Sequence, residues 1–131
     1  MIYKIVEYLN SLEESDIINQ AFGKKIHAKA FFLAISDLYE SNEEAIYVVP
    51  VGGGSPNVDN IRFYPSFLIV ACHRRPRNAF DTLNLILKRL NGNEEIVNGK
   101  ILALDSQPEI ISSISGGCRC FAISFKALLK E

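Results

Sequence analysis

Residues 66 to 90 read SFLIVACHRRPRNAFDTLNLILKRL, and the way this stretch divides decides the fold. Phe67 to Cys72 are apolar without a spacer and include β-branched Ile69 and Val70, so an extended strand here buries both faces. That pattern belongs to a central strand. Arg74 and Arg75 interrupt the run, and Pro76 suits the first turn of a helix while disfavouring helix at Arg75. From there Phe80, Leu83, Ile86, Leu87 and Leu90 recur at three- and four-residue spacing, with Arg77, Asp81, Asn84 and Lys88 off the stripe. Asn91-Gly92 ends the helix, since either residue tolerates the left-handed conformation of a C-terminal cap.

On the N-terminal side, Ala45 to Val49 form a β-rich run stopped by Pro50. Gly52 to Asn57 cannot pack a core and connect this strand to the one at Phe63 to Cys72, so the two can pair antiparallel as a long-looped hairpin. Ile2, Ile5, Val6, Leu9 and Leu12 repeat at helical spacing, and Ser15 to Phe22 can extend that helix as far as Gly23. Lys24 to Tyr39 supports two readings: Phe31, Phe32, Ala34, Ile35 and Leu38 form a helix-like array, while Ile26, Ala28 and Ala30 alternate with polar residues as in a strand. On the C-terminal side, Asn98-Gly99 turns the chain into a strand over Lys100 to Leu104, and Asp105 to Gly117 is a long polar connection around Pro108. Arg119 to Leu129, with Phe121, Ile123, Phe125 and Ala127 on one face, is a half-buried strand. The expectation is one α+β domain over residues 1–131: a mostly antiparallel four-stranded sheet with helices packed on one face.

The chain of 131 residues is long enough for one core, and its formal net charge of -1 draws it to neither nucleic acid nor anionic lipid. Its apolar runs fall well short of a membrane span, and the opening MIYKIVEYLN lacks the small-residue cleavage site of a signal peptide. Three cysteines, an odd number, fit a reducing cytoplasm better than a disulfide framework, so buried free thiols are expected.

Candidate chemistry is sparse. Gly52, Gly53, Gly54 and Ser55 follow a strand, but Pro56 deletes an N–H and no lysine or helix follows, which argues for a connecting loop over a phosphate cradle. Cys72, His73, Cys118 and Cys120, with His27, contain four-ligand zinc chemistry in principle, yet C-x-C spacing is tighter than zinc knuckles use. On a strand, Cys72 and His73 point to opposite faces and cannot form a nucleophile–base pair. Ser112, Ser113 and Ser115 lack a nucleophile elbow, and the pairs Glu13-Glu14, Glu43-Glu44 and Glu94-Glu95 read as solvated faces or loop caps. The expectation is a protein that is not an enzyme and uses no cofactor or metal. The competing reading is a small metal-binding or cysteine-dependent enzyme domain built on Cys72, His73, Cys118 and Cys120. The concentrated charge feature is His73-Arg74-Arg75-Pro76-Arg77, which fits phosphate or a partner carboxylate; without interleaved aromatics it favours a protein contact over nucleic acid.

Several segments together carry a resemblance: VVPVGGGSPN from Val48, YPSFLIVACHRRP from Tyr64, AFDTLNLILKRLNG from Ala79, QPEII from Gln107 and CRCFAISFKALL from Cys118. In this arrangement of glycine-rich loop, hydrophobic strand, basic residues, helix and aromatic terminal strand, the chain resembles the minor capsid or tail-terminator (head–tail joining) proteins of tailed bacteriophages and prophages. The resemblance implies a structural virion protein, made in the bacterial cytoplasm and placed at the tail–head junction. It further implies a self-assembled ring of six subunits that caps the tail tube and offers its other surface to the head-completion or connector protein, with no membrane and no specific nucleic acid as partner. Under that expectation Gly52, Gly53, Gly54, Arg74, Arg75, Arg77 and Leu85 are the candidate subunit contacts, and the connections at 52–60 and 106–117 face the tube or connector.

Overall fold

The computed structural model describes residues 1–12, 16–32, 43–51, 65–112 and 117–130. The elements follow in the order α1 (Ile2–Asn10), α2 (Ile17–Phe22), β1 (Ala28–Ala30), β2 (Ala45–Val51), β3 (Ser66–His73), α3 (Pro76–Leu90), β4 (Gly99–Ala103), β5 (Glu109–Ser112) and β6 (Arg119–Leu129). The glycine-rich stretch from Gly52 to Asn57, the second half of Lys24 to Tyr39, and Ser113 and Ser115 fall outside the described residues.

The sheet corrects the expectation of four mostly antiparallel strands: it is mixed and six-stranded, in the order β1-β2-β3-β6-β4, with β5 also on β6. The central strand is the one expected. β3 is flanked antiparallel by β2, from Ala45 opposite Cys72 to Val51 opposite Ser66, and by β6, from Ser66 opposite Lys126 to His73 opposite Arg119. The two additional strands are short. β1 runs parallel to β2, with Ala28 opposite Ile46, and it resolves the start of the ambiguous segment in favour of the strand reading. β5 lies inside the stretch expected to be a polar connection, where Glu109 and Ile110 pair with Ala122 and Phe121. Strands of three or four residues carry too little pattern of their own to be seen in a sequence; an existing sheet edge recruits them. Because β3 already occupies one edge of β6, β4 and β5 run in line along the other, β4 against Phe125–Leu129 and β5 against Cys120–Ala122.

Pro50 does not stop β2, which continues to Val51. The Val48 carbonyl accepts the Phe31 N–H at 3.0 Å and therefore faces β1, as must Pro50 two residues on. β1 has no registered residue opposite Pro50, so its missing N–H deprives no ladder.

Both faces of the sheet are apolar, which is why Phe67 to Cys72 carries no polar alternation. On one face Ile46, Val48, Phe67, Ile69, Ala71, Ile123 and Phe125 share a core with Ile2, Ile5 and Leu9 of α1, Ile18 and Phe22 of α2, and Ala79, Leu83, Ile86 and Leu90 of α3. Phe67 and Phe125, opposite each other in register and fully buried, stack at 5.3 Å at its centre. On the other face Ala45, Tyr47, Val49, Val70, Cys72, Cys118, Cys120 and Ala122 make a second cluster, with the Phe31 ring edge-on to Tyr47 at 5.6 Å.

The helices end where local chemistry says they should. α2 is a separate helix and not an extension of α1: Asp16 caps it by accepting the Ile18 N–H at 2.8 Å, and its other oxygen holds Arg89 at 2.8 Å. Gly23 closes α2 at φ 89°, a left-handed position that suits glycine. Buried Asn19 then accepts the Ile26 N–H and sets the exit of the chain. α3 starts at Pro76 and is followed by Gly92 at φ 81°. The segment after it is stitched to β4: the Asn91 side chain accepts the Ala103 N–H at 3.0 Å, the Ile101 N–H donates to the Asn93 carbonyl at 3.0 Å, and the Gly92 N–H donates to the Ile101 carbonyl at 2.7 Å.

Candidate functional site

Because β3 feeds α3 through only two residues, Arg74 and Arg75, the side chains of His73, Arg74, Arg75 and Arg77 are presented together at one end of the sheet. The register brings Arg119, the first residue of β6, opposite His73, and Ala45 opposite Cys72, so Glu44 arrives at the same end. The chain after α2 adds Lys24. Lys24, Arg74, Arg75, Arg77 and Arg119 are all exposed, and the carboxylates among them are Glu44 and Asp81.

Glu44 organises this end. One oxygen accepts from Lys24 Nζ at 3.1 Å; the other accepts the Arg74 N–H at 3.1 Å and lies 3.0 Å from His73 Nδ1. Burial works against its ionisation, but the Lys24 and Arg74 donors and the neighbouring cations outweigh it, and the carboxyl titrates below its ordinary value. His73 is itself buried, with its ring edge-on to Phe22 at 4.9 Å. Its Nδ1 accepts the Arg75 N–H at 3.0 Å, and the Phe22 carbonyl takes a hydrogen bond from the imidazole. Nδ1 thus lies 3.0 Å from both the Arg75 N–H and the Glu44 carboxylate. Burial accordingly depresses the His73 pKa, against the opposing pull of Glu44. This network makes the strand-to-helix turn a rigid mount from which the arginines project.

A pH dependence follows. The folded state holds His73 with a pKa below 6.5, so the unfolded chain takes up the proton first, and stability falls as pH drops below about 6.5. Glu44, also depressed, adds a second loss below about 4.5, as pH falls toward its folded pKa. Thermal melts between pH 7.5 and 5 should show a falling midpoint in the native chain and a flatter profile in His73→Gln. Equal slopes would remove His73 from this role.

The other candidate residues divide. Arg77 pairs weakly with Asp81, Nε to Oδ2 3.6 Å, at the surface. Arg74, Arg75 and Arg119 have no ion pair among the described residues. Leu85 is half-buried and leans on the core beside Leu87. Gly52, Gly53 and Gly54 lie outside the described residues. The expectation of three free thiols is corrected: Cys72 and Cys120, opposite each other in register with Cα atoms 4.2 Å apart, form a disulfide, leaving Cys118 as a buried thiol. Burial raises the Cys118 pKa, and Glu44 adds to the effect while Arg74 opposes it. Cys72 and His73 do point to opposite faces, into the second cluster and toward Phe22 respectively. Among the described residues no three His, Cys, Asp or Glu side chains converge as metal ligands would.

Sequence reasoning singled out the arginines of the junction but missed Glu44, Lys24 and Arg119 as their neighbours. Glu44 reads as a solvated residue before a strand, and only the β2–β3 pairing brings it under His73. A signal was present for Arg119, since a charged residue opening a strand paired with β3 must sit near the end of β3. No helix among the described residues is long and apolar enough to cross a membrane. No protein-family model matches the chain, and no curated protein is significantly similar to it in sequence.

Proposed function

We propose that this chain is a structural virion subunit of a tailed bacteriophage or prophage, a tail-terminator or minor capsid protein that assembles as a ring on the tail tube and joins it to the head connector. The observation that carries the reading is the cationic end of the sheet. Five exposed cations stand there against two carboxylates, on a turn rigidified by His73 and Glu44. An exposed, predominantly cationic patch on a chain of net charge -1 is equipment for meeting a complementary protein surface. The segment resemblance supplies the identity of the assembly. In a ring the contact is heterologous, one patch of each subunit meeting a different patch of the next.

Reversing Arg74, Arg75 and Arg77 to glutamate should lower ring yield roughly tenfold or more with only a small change in the circular dichroism melt, because all three residues are exposed, although the Arg74 side chain also hydrogen-bonds the buried Cys118. Unaltered ring yield from a folded triple variant would remove this patch from the contact. Backbone amide exchange on free and assembled protein tests the second part of the reading. Protection of 52–60 and 106–117 should rise on assembly, and equal exchange in both states would count against those segments as contacts.

A further inference from the structure

The second face of the sheet gathers all three cysteines of the chain. Cys72 and Cys120 face each other across β3 and β6 and are joined, while Cys118 stands one position before β6 opens and turns its side chain into the same buried cluster. Residues two apart along an extended chain lie on one side of it, so a disulfide and a thiol share a single apolar layer.

Access separates the three sulfurs. Cys72 is 0% and Cys120 1% exposed, so a thiol in solution cannot touch the bridge while the sheet is closed. Cys118 is buried too, but at the rim: exposed Gly117 precedes it, exposed Arg119 follows it, and the side chain of exposed Arg74 hydrogen-bonds its thiol. Distance decides which bridge sulfur it meets. Two residues of strand span about 6.6 Å between Cα atoms, within the roughly 4.4–6.8 Å that a disulfide joins. In the β3–β6 register Cys118 is diagonal to Cys72, a separation of about 7–8 Å that exceeds this range. Burial raises the Cys118 pKa and makes its thiolate scarce, a scarcity that proximity offsets, since a group held beside its target acts at an effective concentration on the order of 10⁵ M.

We propose that Cys118 is the relay through which the Cys72–Cys120 bridge is broken and remade, with small aliphatic dithiols and their disulfides as its partners in solution. In the breaking direction the Cys118 sulfur gives up its proton and attacks Cys120 Sγ; the Cys118–Cys120 bond forms, the Cys72–Cys120 bond breaks, and Cys72 leaves as a thiolate that takes up a proton. A dithiol then attacks Cys118 Sγ at the rim, which releases Cys120 as a thiol, and its second sulfur displaces Cys118. The dithiol ends as a disulfide, having given up two electrons, and the chain ends with three thiols. Oxidation is the same sequence in reverse. Because the bridge ties the end of β3 to the start of β6, this exchange sets whether the strands that carry His73 and Arg119 are cross-linked. Nothing in this chemistry depends on the virion reading.

Kinetics of reduction test the relay. Native protein with its bridge intact is mixed with excess dithiothreitol, quenched at intervals with an alkylating agent, and read by peptide mass. The wild type should lose the bridge roughly tenfold or more faster than Cys118→Ser, and early quenches should contain a Cys118–Cys120 linkage with Cys72 alkylated. The equilibrium between bridge and thiols in a dithiothreitol redox buffer should be the same in both chains, since a relay changes the rate and not the end states. A Cys118 that merely fills space predicts the opposite sign, because a destabilised variant opens more often and is reduced faster. Cys118→Ala repeats the comparison in case the serine variant folds poorly. Reduction of both variants as fast as wild type or faster, or a bridge that fails to form from reduced wild type under oxidised dithiothreitol, would overturn the relay.

Discussion

Phe125→Ala should lower the free energy of unfolding by about 3–5 kcal/mol, the usual result of emptying a fully buried aromatic site in a packed core. Phe125 is 0% exposed, stacks on Phe67 from the neighbouring strand, and belongs to the cluster that joins the sheet to all three helices. Truncation removes the transfer energy of the ring and leaves a void that β3 and β6 are too constrained to close. Phe125→Leu, which keeps most of the volume, should cost much less. Denaturant titration measures both. A loss below about 1 kcal/mol for the alanine variant would mean that this face is not the principal core.

The second large effect is expected from the Cys72–Cys120 bridge. It joins adjacent strands in space but closes a sequence separation of 48 residues, including α3, β4 and β5. In the chain-entropy description a closed loop of this length restricts the unfolded ensemble by about 4 kcal/mol, and measured values for such bridges run about 2–4. Reduction, or Cys72→Ala with Cys120→Ala, should lower the unfolding free energy by that amount without changing the fold, since both positions stay in a buried apolar cluster. Thiol counting in denaturant makes the same point chemically. One reactive thiol, Cys118, should appear before reduction and three after it. Three before reduction would show that the cysteines are held together by packing alone.

What the sequence made legible follows from how much pattern each element carries. Six apolar residues in a row, a proline after two arginines and a five-point helical stripe determine β3 and α3 on their own, and Arg119–Leu129 alternates over enough residues to be read end to end. β5 was not legible as a strand, and β1 only as one of two readings of its segment, because their pairing is supplied by neighbours distant in sequence: β2 for β1, and the first residues of β6 for β5. The same distinction separates the parts of the site. His73 to Arg77 is contiguous and visible as a charge run. Glu44, Lys24 and Arg119 join it only through sheet register and the turn after α2, and the disulfide depends on a β3–β6 alignment that cysteine counting does not contain. Pro50 misled for a related reason: whether a strand proline interrupts a ladder depends on what lies opposite it.

Sedimentation velocity of the purified chain, over a concentration series at low and high salt, tests most directly the claim that this molecule is built to touch copies of itself. The account predicts a discrete closed oligomer that grows with concentration at low salt and recedes toward monomer as salt screens the cationic end. A single monomeric species at every concentration and salt level would contradict it.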